Sequence, residues 1–336
     1  MYVFGKHANI VIEETWGASQ GFMLKVHSKK VGDTMSKRDL LLALLLVIVW
    51  GANFTVIKLG LSGVPSLVLA ASRFFIVSVT AIFFVKRPKL HWKYIVSYGL
   101  TLGVGQFGLL FYAIEIGMPA GIASIVLQTQ PFFTVLLAAV LLGEAVKRQQ
   151  VVGLFIMAAG LILISGAYKA GGLSAVPMVP FLLTISAALF WSISNIVIRF
   201  ATRDAQKHGE KLDMLGLVVW SSLVPPIPLM ILALLVDSPQ DVLHALTNLK
   251  WISVFSAFYL AFLATLFGYG VWTMLFDKYP TGKVAPLSLL VPVTGLFTAQ
   301  VVLGEKLTSV QWLGCLVIIA GLLVSNFGIP RLKTVK

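Results

Sequence analysis

The chain has 336 residues, 58% of them hydrophobic and only 12% charged, with a mean hydropathy of +0.93. A soluble domain carries about 25% charged residues, so this composition excludes an ordinary soluble protein and indicates an integral membrane protein. The formal charge of +13 does not indicate nucleic acid, because the basic residues fall between apolar runs, as in the cytoplasmic loops of membrane proteins.

Residues 1–34 are unlike the rest: mixed polarity, scattered charges and no continuous apolar stretch of the kind a signal peptide needs. Met35-Ser36-Lys37-Arg38-Asp39 leads directly into the first apolar run and reads like a start. Residues 1–34 are therefore expected to be disordered or to lie upstream of the true initiator, a cytoplasmic extension being the alternative. The remainder divides into two five-helix halves, 35–170 and 171–336.

Ten runs are long enough to cross about 30 Å of hydrocarbon as helices. They lie at 39–59, 65–85, 94–115, 119–142, 149–168, 178–199, 214–236, 250–276, 282–303 and 308–328. The first carries Trp50 and Asn53. The second places Arg73 inside hydrocarbon, where a cation is costly; it must snorkel, meet a helix C-terminus or draw a substrate carboxylate, and anchoring is the favoured reading. The third holds Gln106 and Tyr112 among Gly103, Gly105 and Gly108, and ends on Glu115. The fourth holds Gln128, Gln130 and Pro131 and ends on Glu144. Trp191 and Asn195 lie in the sixth, Tyr269 and Trp272 with Gly268 and Gly270 in the eighth, and Ser288 and Pro292 in the ninth, which ends on Glu305. Asp237–Leu249 reads as a loop.

Polar side chains inside spans face the bundle interior or an aqueous cavity. Asn and Gln offer donors and acceptors together, which suits a zwitterionic or amide-bearing solute, and aromatic faces bind ammonium groups. The plainer reading makes Asn53 and Asn195 helix-to-helix bonds and the tryptophans packing residues. Pro131 and Pro292 each remove a backbone donor and kink their helix, as hinges do. Glu144 and Glu305 read as structural caps or gate-pairing groups. Glu115 is the remaining candidate for a proton site.

The two halves repeat one another. Pro119–Glu144 recurs as Pro280–Glu305, aligning Pro131 with Pro292 and Leu142-Gly143-Glu144 with Leu303-Gly304-Glu305. The register continues without a gap through Gly153/Gly314 and Gly160/Gly321. Trp50 and Lys58 likewise match Trp191 and Arg199. Basic residues concentrate on one side of the ten-span arrangement, which places both termini in the cytoplasm. Five spans per half then force the second half to run opposite to the first. The fold expected is an all-α membrane protein of ten transmembrane helices in two inverted five-helix repeats, a plan suited to alternating access.

Other chemistry is not indicated. Cys315 is the single cysteine and lies in an apolar run, and all five histidines fall outside the spans, so no metal site is expected. There is no H-E-x-x-H, G-x-S-x-G or P-loop motif. The chain is read as a non-enzyme without cofactor.

Val49-Trp50-Gly51-Ala52-Asn53-Phe54, Gly117-Met118-Pro119-Ala120-Gly121-Ile122-Ala123-Ser124 and Val284–Val293 resemble the drug/metabolite transporter superfamily, EamA type. Within it, they resemble the bacterial exporters of O-acetylserine and cysteine. The resemblance covers nearly all of Ser36–Gly328. It implies a multi-pass exporter of small amino-acid-like metabolites in the bacterial inner membrane, monomeric or homodimeric. Its partners would be a small-molecule substrate and the lipid bilayer. Its cavity would be lined by the first, third, fourth, sixth, eighth and ninth spans, the ones that carry Trp50, Asn53, Gln106, Tyr112, Gln128, Trp191, Asn195, Tyr269, Trp272 and Ser288. Broad drug efflux and a non-transporting scaffold are the competing readings.

Overall fold

The computed structural model describes residues 10–13, 25–28, 35–166 and 176–327. Ahead of Met35 it shows one antiparallel strand pair, β1 (Ile10–Glu13) and β2 (Lys25–Ser28), with Ile10 opposite Ser28. The rest of 1–34, the expected boundary between the halves at 170/171 and the basic tail with Arg331, Lys333 and Lys336 lie outside the described residues. All other regular structure among the described residues is helical.

Among the described residues, six helices are long and apolar enough to cross a membrane: α1 (Lys37–Gly60), α3 (Trp92–Glu115), α4 (Ala120–Leu142), α6 (Met178–Lys207), α10 (Trp251–Lys278) and α11 (Pro286–Leu303). A seventh span is formed if α7 (Met214–Ser221) and α8 (Pro226–Val236), bent by 42° at their junction, count as one. Three apolar stretches are shorter: α2 (Ser66–Ala81), Arg148–Ile164 of α5 (Arg148–Gly166) and Ser309–Ser325 of α12 (Ser309–Phe327). Local signals start and stop them. Ser36 accepts from the Asp39 amide at the head of α1, an N-cap that satisfies an otherwise orphan donor. Gly143 and Gly304 end α4 and α11 at φ 66° and 67°, a left-handed closure that glycine adopts without a Cβ penalty.

Three departures from the sequence expectation change the course of the chain. The sixth span does not stop at 199 but runs to Lys207. The seventh breaks at Ser222–Pro225, because Pro225 and Pro226 deprive the apolar run of amide donors. The expected loop after Asp237 contains α9 (Pro239–Thr247), whose N-cap Ser238 accepts from the Asp241 amide at 3.1 Å.

The two segments aligned in the sequence share a local backbone pattern. In α4, a turn of 3₁₀ helix at Leu127–Thr129 precedes the proline-bearing segment Gln130–Leu142. In α11 the 3₁₀ stretch Ala285–Leu290 precedes Val291–Leu303, again with proline in its first turn. Both expected kinks are therefore local rewindings, with each proline placed where its missing amide costs least. α3 and α10 each contain a wide, π-helical stretch, Gly99–Gly108 and Tyr259–Phe267.

Small residues let these helices approach one another. A Cβ on Gly153 would stand 2.6 Å from the Gly321 carbonyl oxygen, and one on Gly321 2.7 Å from that of Gly153. Gly160 and Gly314 repeat the arrangement at 2.8 and 2.9 Å. α5 and α12, equivalent helices of the two halves, thus pack antiparallel through reciprocal pairs of glycines. α1 is held by hydroxyls of α10: Ser253, Ser256 and Tyr259 donate to the carbonyls of Gly60, Val56 and Val49 at 2.7, 3.0 and 2.9 Å. The largest buried cluster lies at one end of the bundle, where Leu67–Ala71, Leu110–Ile114 and Ala120–Leu127 meet.

Candidate functional site

Trp50, Tyr269 and Trp272 come together from α1 and α10. The Trp50 ring lies 5.8 Å from Tyr269 and 5.3 Å from Trp272, both in edge or tilted geometry, and Trp272 continues to Phe276 at 4.9 Å. The Trp50 indole N–H donates to the Ala264 carbonyl at 2.9 Å, a group inside the π-helical stretch of α10. It fits because Gly268 has no side chain: a Cβ there would stand 2.4 Å from Trp50 Nε1. Close to this aromatic group along α1, Asn53 is 7% exposed and its Oδ1 has no hydrogen-bond partner among the described residues. A buried amide oxygen without a partner costs about 1–3 kcal/mol, so an arriving donor would find an acceptor there. Gln106 is buried on α3, while Tyr112, Gln128, Trp191, Asn195 and Ser288 are half-buried on α3, α4, α6 and α11. Trp191 packs against the same buried cluster as Tyr269. The described hydrogen bonds and ring contacts do not join the side chains of Tyr112, Gln128 or Asn195 to the aromatic group.

Arg73 does not snorkel. It is 2% exposed, its Nε and Nη2 donate to Thr265 Oγ1 of α10 at 3.1 and 2.9 Å, and its Cζ lies 4.0 Å from the Phe107 ring centroid. Its glycine neighbours admit the broken seventh span: a Cβ on Gly103 would stand 2.1 Å from Pro225 Cγ, and one on Gly99 2.7 Å from the Ser221 carbonyl oxygen. Gly105 faces Phe190 of α6 in the same way.

The terminal carboxylates occupy three different situations. Glu115 caps α2, accepting from the Ser66 amide at 3.1 Å and the Ser66 hydroxyl at 2.6 Å. Beside it Lys58 donates to the Ile114 carbonyl at 2.9 Å. Glu305 reaches from the end of α11 to the start of α4, accepting from the Ala120 and Gly121 amides at 2.7 and 2.9 Å. Its repeat partner Glu144 is exposed and instead pairs with Arg199, with Arg203 at 3.7 Å. The flanking helices share this asymmetry. Ala120–Val126 is fully buried, whereas Pro286–Leu289 is half-buried and Leu290 exposed.

Outside the spans, burial first and the Asp241 charge second push the Asp237 carboxyl above its ordinary range. Lys89 is raised by its hydrogen bond to Glu210, then by that group's charge. No cluster of His, Cys, Asp and Glu among the described residues could hold a metal ion.

Sequence reasoning missed the Thr265 partner of Arg73 and the role of Ala264, because both lie in the other half of the chain with no local signature. The Pro225-Pro226 pair was a readable signal for the break that receives Gly103.

The sequence profile of the EamA-like transporter family matches residues 37–166 and again 178–327. A probable amino-acid metabolite efflux pump of Escherichia coli K12 is 44% identical over 303 residues, spanning 90% of this chain and 99% of that protein. Its Salmonella typhimurium counterpart is 43% identical over 90% and 99%. A probable terminal-alkyne amino-acid exporter of Streptantibioticus cattleyicolor is 26% identical over 84% and 91%. One solved crystal structure superposes with a TM-score of 0.58 at 19% identity, covering 89% of this chain and 100% of that one. That likeness shows a shared fold.

Proposed function

We infer that this chain, which belongs to the EamA-like transporter family, exports small amino-acid-like metabolites, cysteine and O-acetylserine foremost, by alternating access across a bacterial inner membrane. The substrate class rests on two relatives named as amino-acid metabolite efflux pumps at 43–44% identity. The mechanism rests on one observation: Glu144 and Glu305, equivalent by repeat, hold non-equivalent partners. Counting the three shorter apolar helices and the bent pair with the six long ones gives ten spans with both termini cytoplasmic. In that arrangement Glu305 seals the external ends of α4 and α11, and the cytoplasmic ends are parted.

Inverted repeats reach their second state by exchanging conformations. Glu144 then caps the start of the 281–284 turn as Glu305 now caps Ala120, and Glu305 turns to Lys58 as Glu144 now turns to Arg199. Pro131 and Pro292, each just beyond a 3₁₀ turn, are where the gate segments pivot. The solute sits against Trp50, Tyr269 and Trp272, whose faces receive its ammonium group, with its polar end on Asn53. Gln106, Tyr112, Gln128, Trp191, Asn195 and Ser288 complete the path. Broad efflux of cationic drugs is less favoured, since none of the residues of this site is a carboxylate that would attract them.

Secretion tests this reading. The full chain is expressed in a bacterium lacking its own cysteine exporters, with excess sulfur source, and cysteine and O-acetylserine are measured in the medium. Secretion should rise several-fold over the empty vector. Asn53→Ala should lower it about fivefold, the worth of about 1 kcal/mol for one hydrogen bond, at unchanged membrane abundance. Vector-level secretion from protein present in the membrane removes the substrate assignment, and undiminished secretion by Asn53→Ala removes Asn53 from the site.

A further inference from the structure

Arg73 lines a small, partly enclosed cavity between α2, α3, the α7–α8 break and α10, together with Tyr98, Phe107, Ser221, Ser222, Thr265 and Tyr269. The guanidinium is 2% exposed, only Nε and Nη2 are satisfied, and Nη1 has no partner among the described residues. No Asp or Glu lines the cavity. A buried cation without a counter-charge is strongly unfavourable, and in membrane interiors such groups are paired. Phe107, at 4.0 Å, offers its ring face but not a hydrogen-bond acceptor. Thr265, Ser221 and Ser222 spend their hydroxyl protons on the Leu260 and Val218 carbonyls, so Nη1 is the charged donor left for an anion. The volume is about 10 Å³, roughly what one water-sized particle requires.

We propose that Arg73 holds a single small anionic acceptor at this place: a halide ion or, once α7–α8 yields, the carboxylate of the transported amino acid. Both offer the same chemistry, one compact negative acceptor for Nη1. The carboxylate source rests on the export reading above; the halide source does not. Tyr269 lines the cavity and its ring lies 5.8 Å from that of Trp50, so the place of the anion adjoins the aromatic group.

The test uses the purified full chain in nanodiscs, with thermal unfolding followed at constant ionic strength. Sodium chloride or bromide replaces sodium gluconate in one arm. In the other arm, in gluconate, cysteine or O-acetylserine is compared with its methyl ester. Occupancy at about ten times the dissociation constant should raise the midpoint by about 2–4 °C. Arg73→Gln should abolish the rise, and Thr265→Val, which leaves the charge in place, should shift the required concentration several-fold. A rise with halide alone assigns an inorganic anion; a rise with amino acid but not ester assigns the substrate carboxylate, and its loss in Arg73→Gln ties it to this site. If neither arm raises the wild-type midpoint, or Thr265→Val and Arg73→Gln respond as wild type does, the proposal is overturned. Secretion in the cell assay with no response here would leave export standing and remove the anion site.

Discussion

Gly321→Leu is expected to remove most of the folded protein from the membrane, while Gly270→Ala leaves it unchanged. A Cβ at 321 would stand 2.7 Å from the Gly153 carbonyl oxygen and 2.6 and 2.8 Å from Met157 Cγ and N. Two of these three atoms are main chain and cannot swing aside. Overpacking a close interface costs about 1–3 kcal/mol and occasionally more, and a leucine drives a whole side chain into contact that excludes even a methyl group. Because Gly153, Gly160, Gly314 and Gly321 are interlocked, opening one pair strains the other. Against a total stability of about 5–15 kcal/mol, a loss of about 3 kcal/mol or more should cut abundance several-fold. Gly270 has nothing within 4 Å of an added Cβ, and alanine there gains helix propensity. Quantifying membrane-inserted protein and its detergent unfolding for both variants checks this, and normal abundance of Gly321→Leu would contradict the packing described.

Glu305→Ala is expected to open the end of the bundle that is now sealed. Its carboxylate accepts from two consecutive amides at the start of α4, at 2.7 and 2.9 Å, where the helix dipole strengthens both bonds. Hydrogen bonds to a charged group contribute about 1.5–3 kcal/mol each, and water recovers part of that when Glu305, which is only half-buried, is removed. A net change of about 1.5–3 kcal/mol shifts the two-state balance roughly tenfold to a hundredfold. Ser124, buried beside the Pro292 carbonyl, reports it. In a Cys315→Ser background, Ser124→Cys should resist a membrane-impermeant maleimide from outside and become reactive when Glu305→Ala is added. Glu144→Ala, which frees an exposed ion pair worth about 0–1 kcal/mol, should leave that labelling nearly unchanged. Equal labelling with and without Glu305 would remove its role as a latch.

The features legible in the sequence were those carried by single residue types at fixed spacing. Leu-Gly-Glu ended two helices because glycine alone takes the left-handed turn, and both Gly143 and Gly304 do so. Pro131 and Pro292 announced breaks because a missing amide must be accommodated locally. Gly103 and Gly105 announced close approach, which Pro225 and Phe190 realise. What stayed hidden depends on partners distant in the chain. Nothing near Arg73 foretells Thr265, nothing near Glu305 foretells the Ala120 amide, and the matching Leu-Gly-Glu context of Glu144 and Glu305 conceals their unequal contacts. Of the expected site, Trp50, Tyr269 and Trp272 form one group with Asn53 beside it, since α1 and α10 are stapled by Ser253, Ser256 and Tyr259. Glu115, read as a proton-site candidate, accepts two hydrogen bonds from Ser66 at the head of α2.

The most direct test of export is flux through the purified full chain in liposomes loaded with labelled cysteine or O-acetylserine. Saturable efflux faster than from protein-free liposomes, accelerated when unlabelled substrate is present on the opposite side, is the result that alternating access requires. Flux equal to that of protein-free liposomes, or flux that rises linearly with concentration and ignores substrate on the far side, would contradict it.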